Sequence, residues 1–167
     1  MAPHFDLFDH DVERSLMIDS HDYGVTVTGT GPKTAVLDAP QDLLPLLDVS
    51  SPPEFGGPGQ VWSPEHLFVA AVASCLMTTF RAFAANAGVE VIDYLDHSVG
   101  RLQRGADGLY SIDRITLQPM VVISEDSSPE RASRVLEKAE KVCLIGRSIR
   151  SEVVLEPTVL QSHHVGT

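Results

Sequence analysis

One long apolar segment, residues 61–88, restricts the folds open to this chain because it predicts a single helix that must be buried. Ser63 is a favourable N-cap residue, and Pro64 suits the first helical position. Glu65 follows in the first turn, where a carboxylate stabilises the positive end of the helix dipole. Gly88 indicates the end of the helix. The segment therefore predicts one central helix around which the remaining chain is arranged.

The middle of this predicted helix is uncharged. No charged residue or helix breaker occurs between Leu67 and Phe80, a stretch about 21 Å long at about 1.5 Å per residue. That length falls short of the roughly 30 Å hydrocarbon core of a bilayer. Apolar residues occur on every side, so we expect a helix that is buried all round. Four small residues would let other backbones approach closely: Ala70, Ala71, Ala73 and Ser74.

Length, charge and cysteine content narrow the class of protein. The 167 residues predict one domain, and 43% hydrophobic content is enough for a core. The formal net charge is −11 and the basic residues are scattered, which disfavours nucleic acid and membrane partners. The N-terminal residues lack the basic start and apolar stretch of a secretory signal. We therefore expect a cytoplasmic protein that keeps Cys75 and Cys143 as thiols unless they perform redox chemistry.

The rest of the chain predicts hairpins and a second helix. This helix opens at Ser128-Pro129-Glu130, repeating the Ser-Pro-Glu start of the first, and ends at Cys143, which should face the core. Because the strands come as hairpins, the predicted class is α+β with a mainly antiparallel sheet. The predicted strands, with an acidic N-terminal arm and a tail outside them, are residues 23–28, 33–37, 89–103, 109–124 and 151–160, with the arm at 1–22 and the tail at 161–167.

The two cysteines allow several interpretations. A lone Cys75 on an apolar helix is typical of a small buried hydrophobic residue, and its neighbours one turn away carry no charge. Cys143 adds a second core-facing thiol, so the two are also consistent with a peroxidatic and resolving pair. A zinc site needs about four ligands at close spacing, and the sequence has no C-x-x-C or H-x-x-x-H motif. We therefore predict no metal.

Other candidate residues carry weaker signals. The Pro/Gly-rich segment at residues 51–60 is either a connector or a lip over a pocket beside the central helix. Glu65 needs no role beyond the helix dipole. His66 and His97 are candidates for acid–base chemistry by residue type alone. The sequence has no G-x-S-x-G, P-loop or G-x-G-x-x-G motif to support a hydrolase, an NTPase or a dinucleotide-binding protein.

The segment F-G-G-P-G-Q-V-W-S-P-E-H-L-F-V-A-A-V-A-S-C-L resembles the signature of the OsmC/Ohr family, the osmotically inducible and organic hydroperoxide resistance proteins. The resemblance includes the Gly-rich loop, the Pro-Glu helix start and a cysteine ten residues after the glutamate. A second cysteine after E-K-A-E-K-V completes it, and it extends over about residues 23–160.

This resemblance implies a fold and an activity. It implies an intertwined homodimer in which antiparallel sheets wrap two long central helices. It also implies a cytoplasmic thiol peroxidase that uses no cofactor. Cys75 would be the peroxidatic residue, Cys143 the resolving residue and Glu65 the active-site glutamate. An organic hydroperoxide would be the substrate, and an external dithiol, lipoyl-type or thioredoxin-like, would be the reductant.

One departure from the family pattern concerns the cation beside the reactive thiolate. The family's best-studied branches carry an arginine in the first hairpin, and the corresponding turn here, G-T-G-P-K, has none. Lys33 is the nearest cation, and Arg147 is another source of charge. The departure implies a weakly activated thiolate. Helical spacing around Cys75 further predicts an apolar substrate pocket lined by Phe68, Val72, Leu76 and Phe80.

Two alternatives remain beside the peroxidase. The same fold would serve a non-catalytic protein that binds a small apolar ligand, and the missing arginine favours this reading. It would also serve a redox sensor whose disulfide changes its shape without turnover. Repeated turnover with a dithiol separates the peroxidase from both alternatives.

Overall fold

The computed structural model of the chain describes residues 20–162, which fall into two compact units that meet between Asp48 and Val49. The predicted N-terminal arm and tail lie mostly outside the described residues. The family resemblance and both cysteines belong to the second unit. The prediction of one domain over residues 1–167 stays a prediction.

The first unit contains an antiparallel hairpin of β1 (Thr26–Gly31) and β2 (Thr34–Asp38). The hairpin turn falls at Pro32 and Lys33, slightly later than the turn predicted at residues 29–32. A third strand, β3 (Leu47–Ser50), pairs beside β2 and continues into the second unit. The hairpin predicted from β-branched residues is therefore confirmed, with its strands shifted along the chain.

The second unit is organised on the central helix α1 (Pro64–Asn86), which begins and ends where its signals predicted. The Ser63 Oγ accepts a hydrogen bond from the His66 backbone N–H, as an N-cap does. After the helix, Gly88 has a φ of +66°, a conformation that glycine adopts at little cost. Local capping chemistry thus sets both ends of α1.

Helix α1 buries one face and exposes another, so the prediction of burial all round is wrong for this chain. Residues spaced four apart, Val72, Leu76, Phe80 and Ala84, are fully buried. A different face bears small, exposed residues, including Ala71, Ser74 and Thr78. The Ser74 and Thr78 hydroxyls donate to carbonyl groups one turn back in the same helix. In the described residues no chain element covers this face.

By length and composition, α1 is long and apolar enough to cross a membrane, although the uncharged stretch alone is not. The core helix of a globular protein has the same properties. Here the buried stripe of α1 packs in the hydrophobic core together with residues from sheets and a second helix. Burial of that stripe within the protein accounts for the apolar composition.

The long hairpin predicted after α1 forms, but it divides between two sheets. Its strands are β4 (Val91–Asp96), β5 (Val99–Arg104), β6 (Tyr110–Leu117) and β7 (Pro119–Ile123). Strand β4 pairs with β7 and β5 with β6, both antiparallel. Pro119 begins β7 opposite Asp96, and proline has no N–H to donate. The chain therefore changes sheet at Pro119, where the sequence predicted an edge or a bulge.

The C-terminal half adds a helix and two short strands. Helix α2 (Pro129–Val142) follows its Ser128 cap and buries Ala132, Val135, Leu136 and Ala139. A one-turn helix, α3 (Leu144–Arg147), follows at once. Pro157 separates β8 (Glu152–Leu155) from β9 (Thr158–Gln161), and these strands join β6 and β7 in parallel. Both sheets of this unit are thus mixed rather than mainly antiparallel, and the α+β class is confirmed.

Candidate functional site

The structure brings the two cysteines together although 68 positions separate them in the sequence. Cys75 is half-buried in the middle of α1, and Cys143 is 3% exposed at the junction of α2 and α3. The two thiols interact through a side-chain hydrogen bond. Helix α3 packs against α1, which places the first residues of α3 beside Cys75. Neither thiol is an isolated core cysteine.

The surroundings of Cys75 lower its pKa below the ordinary value of 9.0. Burial alone raises this pKa, because it penalises the thiolate. Hydrogen bonding from the Ile145 backbone, the Cys143 thiol, the Thr79 hydroxyl and the Leu144 backbone outweighs that penalty. Backbone N–H groups at the start of a helix also carry partial positive charge. Cys75 is therefore the more acidic thiol of the pair.

The pKa of Cys143 moves in the opposite direction, to about 11. Burial is the largest cause, and hydrogen bonding to Cys75 and the negative charge of the Cys75 thiolate add to it. Hydrogen bonds from the Gly146 and Ile145 backbones oppose the rise without cancelling it. At neutral pH the pair therefore contains one activated thiol and one that stays protonated.

Neutral donors, rather than a cation, account for the lowered pKa of Cys75. Arg147 is exposed at the end of α3, and its backbone N–H donates to the Cys143 carbonyl at 2.9 Å. Lys33 lies in the turn of the first unit, and its proposed role stays a prediction. The sequence indicated the Thr79 hydroxyl but not the backbone donors, because any residue type supplies an N–H group. Only the fold reveals that Leu144 and Ile145 lie beside Cys75.

The predicted apolar pocket around Cys75 does not form in this structure. Val72, Leu76 and Phe80 are fully buried in the hydrophobic core, so they line neither of the two main cavities described below. Helical spacing placed them correctly on one face, but that face packs against the protein's own sheets. Phe68 alone lines a cavity, of about 580 Å³, together with Ile149 and Arg150.

Glu65 lies in a different place, beside a cavity of about 630 Å³. Trp62, His66, Tyr94 and Asp96 also line this cavity, whereas Cys75 does not. The Glu65 Oε2 atom is buried and has no hydrogen-bond partner among the described residues. A buried carboxylate oxygen without a partner carries a desolvation cost. The sequence predicted Glu65 as a site residue, and nothing in the sequence predicted this cavity.

The two histidines singled out by type have different surroundings. The His66 Nδ1 atom lies 2.8 Å from the Ser63 Oγ, so one ring nitrogen supports the start of α1. His97 is exposed in the bend between β4 and β5. Across residues 20–162, no three His, Cys, Asp or Glu side chains are grouped so as to hold a metal ion.

The comparison with protein families decides what kind of protein this is. The model of the family described as OsmC-like protein matches residues 57–158, which include α1, both cysteines and the four strands of the divided hairpin. The chain belongs to the OsmC-like family. An uncharacterized OsmC-like relative, YmaD of Bacillus subtilis, is 30% identical over 114 residues, covering 66% of this chain and 75% of YmaD.

Solved structures agree with this assignment. An OsmC-like protein of unknown function from Vibrio cholerae is 25% identical, with a TM-score of 0.76 over 83% of this chain and 99% of that one. An organic hydroperoxide resistance protein OsmC from Legionella pneumophila is 23% identical, with a TM-score of 0.63 over 84% of this chain and 99% of that one. The Legionella likeness shows the OsmC-like fold.

Proposed function

We propose that this OsmC-like protein is a thiol peroxidase that reduces organic hydroperoxides, with Cys75 as peroxidatic and Cys143 as resolving residue. One observation carries the proposal: two interacting thiols have pKa values shifted in opposite directions, which suits them to attack and to resolution respectively. The name of the Legionella relative associates the same fold with organic hydroperoxides. This association supports the substrate class.

The reaction begins with the Cys75 thiolate. Its sulfur attacks the distal oxygen of the hydroperoxide, the O–O bond breaks, and the alkoxide takes up a proton to leave as an alcohol. Cys75 becomes a sulfenic acid, oxidised by two electrons. The donors that lower the Cys75 pKa also stabilise the thiolate that performs the attack.

Resolution then uses the neighbouring thiol. The Cys143 sulfur attacks the Cys75 sulfur, the S–O bond breaks, and the Cys143 proton leaves with the hydroxyl group as water. An external dithiol, lipoyl-type or thioredoxin-like, restores both thiols by exchange and becomes a disulfide itself. The direct interaction of the two thiols supports this step, because little movement is needed to bring them to bonding distance.

The proposed assembly is a homodimer in the cytoplasm. The exposed face of α1 supports the dimer, because its small residues, Ala71, Ser74 and Thr78, would let a second helix approach closely. The separate position of Glu65 supports a shared site. Glu65 and Cys75 lie ten residues apart on one helix, about 15 Å in rise. We therefore place Glu65 of one protomer beside Cys75 of its partner.

Steady-state turnover tests the proposed activity. The protein is supplied with an alkyl hydroperoxide, or with hydrogen peroxide, and with either a lipoyl-type dithiol or thioredoxin and its reductase. We expect many turnovers per protein, faster with the alkyl hydroperoxide. Oxidation that stops after one equivalent with every reductant would contradict the peroxidase and favour a redox sensor.

A non-catalytic ligand-binding protein is the second candidate. The cavity of about 630 Å³ favours it, because this space is large enough for a small organic molecule and lies apart from Cys75 in the chain described. Identification of a co-purified ligand by mass spectrometry, in a protein that shows no turnover, would support this candidate.

A further inference from the structure

The cavity beside Glu65 combines apolar walls with an acidic rim. Its apolar lining consists mainly of Val69, Ala73, Met77, Val99, Leu102 and Ile112. Two carboxylates, Glu65 and Asp96, line the same space. None of the described residues around this cavity is lysine or arginine. The negative charge of the cavity therefore has no balancing cation in its own lining.

A second glutamate in the same sequence setting shows that the environment of Glu65 is unusual. Both helices open with Ser-Pro-Glu, so Glu130 occupies in α2 the position that Glu65 occupies in α1. The Ser128 Oγ donates to the Glu130 carboxylate at 2.8 Å. In α1 the Ser63 Oγ instead pairs with the His66 ring, and the Glu65 Oε2 is buried without a partner. The helix dipole alone does not explain that arrangement.

Asp96 carries the second negative charge, and its hydrogen bonds come from neutral groups. Its Oδ1 accepts from the Ser98 hydroxyl at 2.9 Å and from the Gln118 backbone N–H at 2.9 Å. The Tyr94 hydroxyl lies 3.4 Å from the Asp96 Oδ2. Burial, followed by the charge of Asp96, raises the pKa of Tyr94, so its ring stays neutral. These donors position Asp96 and leave its charge uncompensated.

We propose that this cavity binds a small organic cation, an ammonium group attached to an apolar body. The ammonium group would pair with Glu65 and Asp96, since a charge-assisted hydrogen bond is the interaction that an unpartnered carboxylate lacks. The aromatic rings of Trp62 and Tyr94 in the lining attract cations through their π faces. The apolar body fills the remaining space, because about 630 Å³ accommodates a small organic ligand.

The same features disfavour other occupants. An anionic ligand would meet two carboxylates, and a bare metal ion would meet apolar walls with too few donors. The main rival is a second copy of this chain that closes the cavity without any ligand. That case predicts no saturable binding of a small molecule.

Fluorescence gives a direct assay, because Trp62 is the single tryptophan of the chain and lines the cavity. The full-length reduced protein is titrated with three probes of similar shape: 2-phenylethylammonium, 2-phenylethanol and 3-phenylpropionate. We expect saturable binding of the ammonium probe, at least about tenfold tighter than the alcohol, with the carboxylate weaker still. Calorimetry with the same probes confirms that the signal reports binding. Equal affinity for the three probes, or no binding of any, would overturn the proposal.

Matched variants then assign the charge that selects the ligand. Glu65→Gln keeps the side-chain shape, and we expect it to weaken ammonium binding by about tenfold or more. Glu130→Gln changes the equivalent residue of α2 and should bind like the unmodified protein. An equal effect of the two variants would refute the role of Glu65. The comparison of the three probes needs no variant, so it decides the matter even if Glu65→Gln is unstable.

This ligand site does not depend on the peroxidase. Cys75→Ser should remove thiol chemistry and keep ammonium binding, because Cys75 is not among the residues that line the cavity. Loss of binding in Cys75→Ser would contradict a site that is separate from the thiols. The two proposals can therefore fail independently.

Discussion

The Cys75 and Cys143 thiols shift each other's pKa in opposite directions through one side-chain hydrogen bond. The cysteine on α1 becomes the better thiolate, and the cysteine at the start of α3 stays protonated to higher pH. This asymmetry orders the proposed chemistry, because a thiolate attacks peroxide and a neighbouring thiol resolves the product. It needs no charged side chain beside Cys75.

The first prediction concerns the reactivity of the two thiols toward an alkylating reagent. Cys75 should be modified faster than Cys143 at neutral pH, because its pKa lies below 9.0 and that of Cys143 is about 11. As pH rises, the Cys75 rate should reach its plateau first, below pH 9, and Cys143 should respond only above that range. Peptide mapping after timed iodoacetamide treatment measures both rates.

Single-cysteine variants supply the control for that measurement. In Cys143→Ser the remaining thiol should still react early, with its pKa changed by the loss of one hydrogen bond. A faster reaction at Cys143 than at Cys75 in the unmodified protein would show that the roles are reversed. Faster exposure of Cys143 by local opening would be recognised by its dependence on denaturant.

The second prediction tests the backbone donors at the start of α3. Leu144→Pro removes one N–H group near Cys75, and proline is tolerated at a first helical position. The preceding residue, Cys143, has a ψ of 117°, close to the range that a following proline requires. We expect the pKa of Cys75 to rise, and its alkylation at neutral pH to slow severalfold.

Two other variants separate this backbone effect from side-chain effects. Leu144→Ala keeps the N–H group and should leave the pKa of Cys75 unchanged. Arg147→Gln removes the exposed cation and should change the alkylation rate by less than about twofold, since exposed charges are screened. A large loss in Arg147→Gln with none in Leu144→Pro would restore the cation as the source of activation.

Local chemistry made the helices predictable. The Ser63 cap, Pro64 and Gly88 act within a few residues of one another, so the bounds of α1 could be inferred from the sequence. The same holds for α2 after Ser128. The pairing of the two cysteines followed from the family resemblance, and the structure places them in contact.

Long-range packing was not predictable from the same signals. The parallel pairing of β8 with β6 joins residues almost 40 positions apart, and no local turn specifies it. Val72 and Leu76 were expected to line a pocket, but helical periodicity cannot show whether an apolar face meets a ligand or a sheet. The activating N–H groups of Leu144 and Ile145 have no side-chain signature at all.

The third prediction concerns the loop before α1, where Gly57 lies against the backbone. A Cβ atom at Gly57 would overlap the carbonyl oxygen of Ser51, and backbone cannot move aside easily. We expect Gly57→Ala to lower the free energy of unfolding by about 1–3 kcal/mol, in the range of other overpacked sites. Gly29→Ala, where a Cβ meets nothing within 4 Å, should change it by less than about 0.5 kcal/mol. Urea denaturation measures both, and similar values would contradict the close approach.

The fourth prediction tests the shared site of the proposed dimer. Glu65→Ala and Cys75→Ser protomers should each be inactive alone, and a mixed dimer should regain one intact site of two, about half the activity per mixed dimer. Differently tagged protomers allow mixed dimers to be purified and assayed. If mixed dimers form and remain inactive, Glu65 acts within its own chain or has no part in the reaction.

The central claim is that peroxide oxidises Cys75 and that Cys143 captures the product. The most direct measurement adds one equivalent of cumene hydroperoxide to the reduced protein, followed by non-reducing peptide mapping and quantitation of the alcohol. We predict one alcohol, two thiols lost and a Cys75–Cys143 disulfide within a single chain. Cys143→Ser should stop at a Cys75 sulfenic acid that dimedone traps, and Cys75→Ser should consume no peroxide. Peroxide consumption that leaves both thiols free, or that persists in Cys75→Ser, would contradict the account.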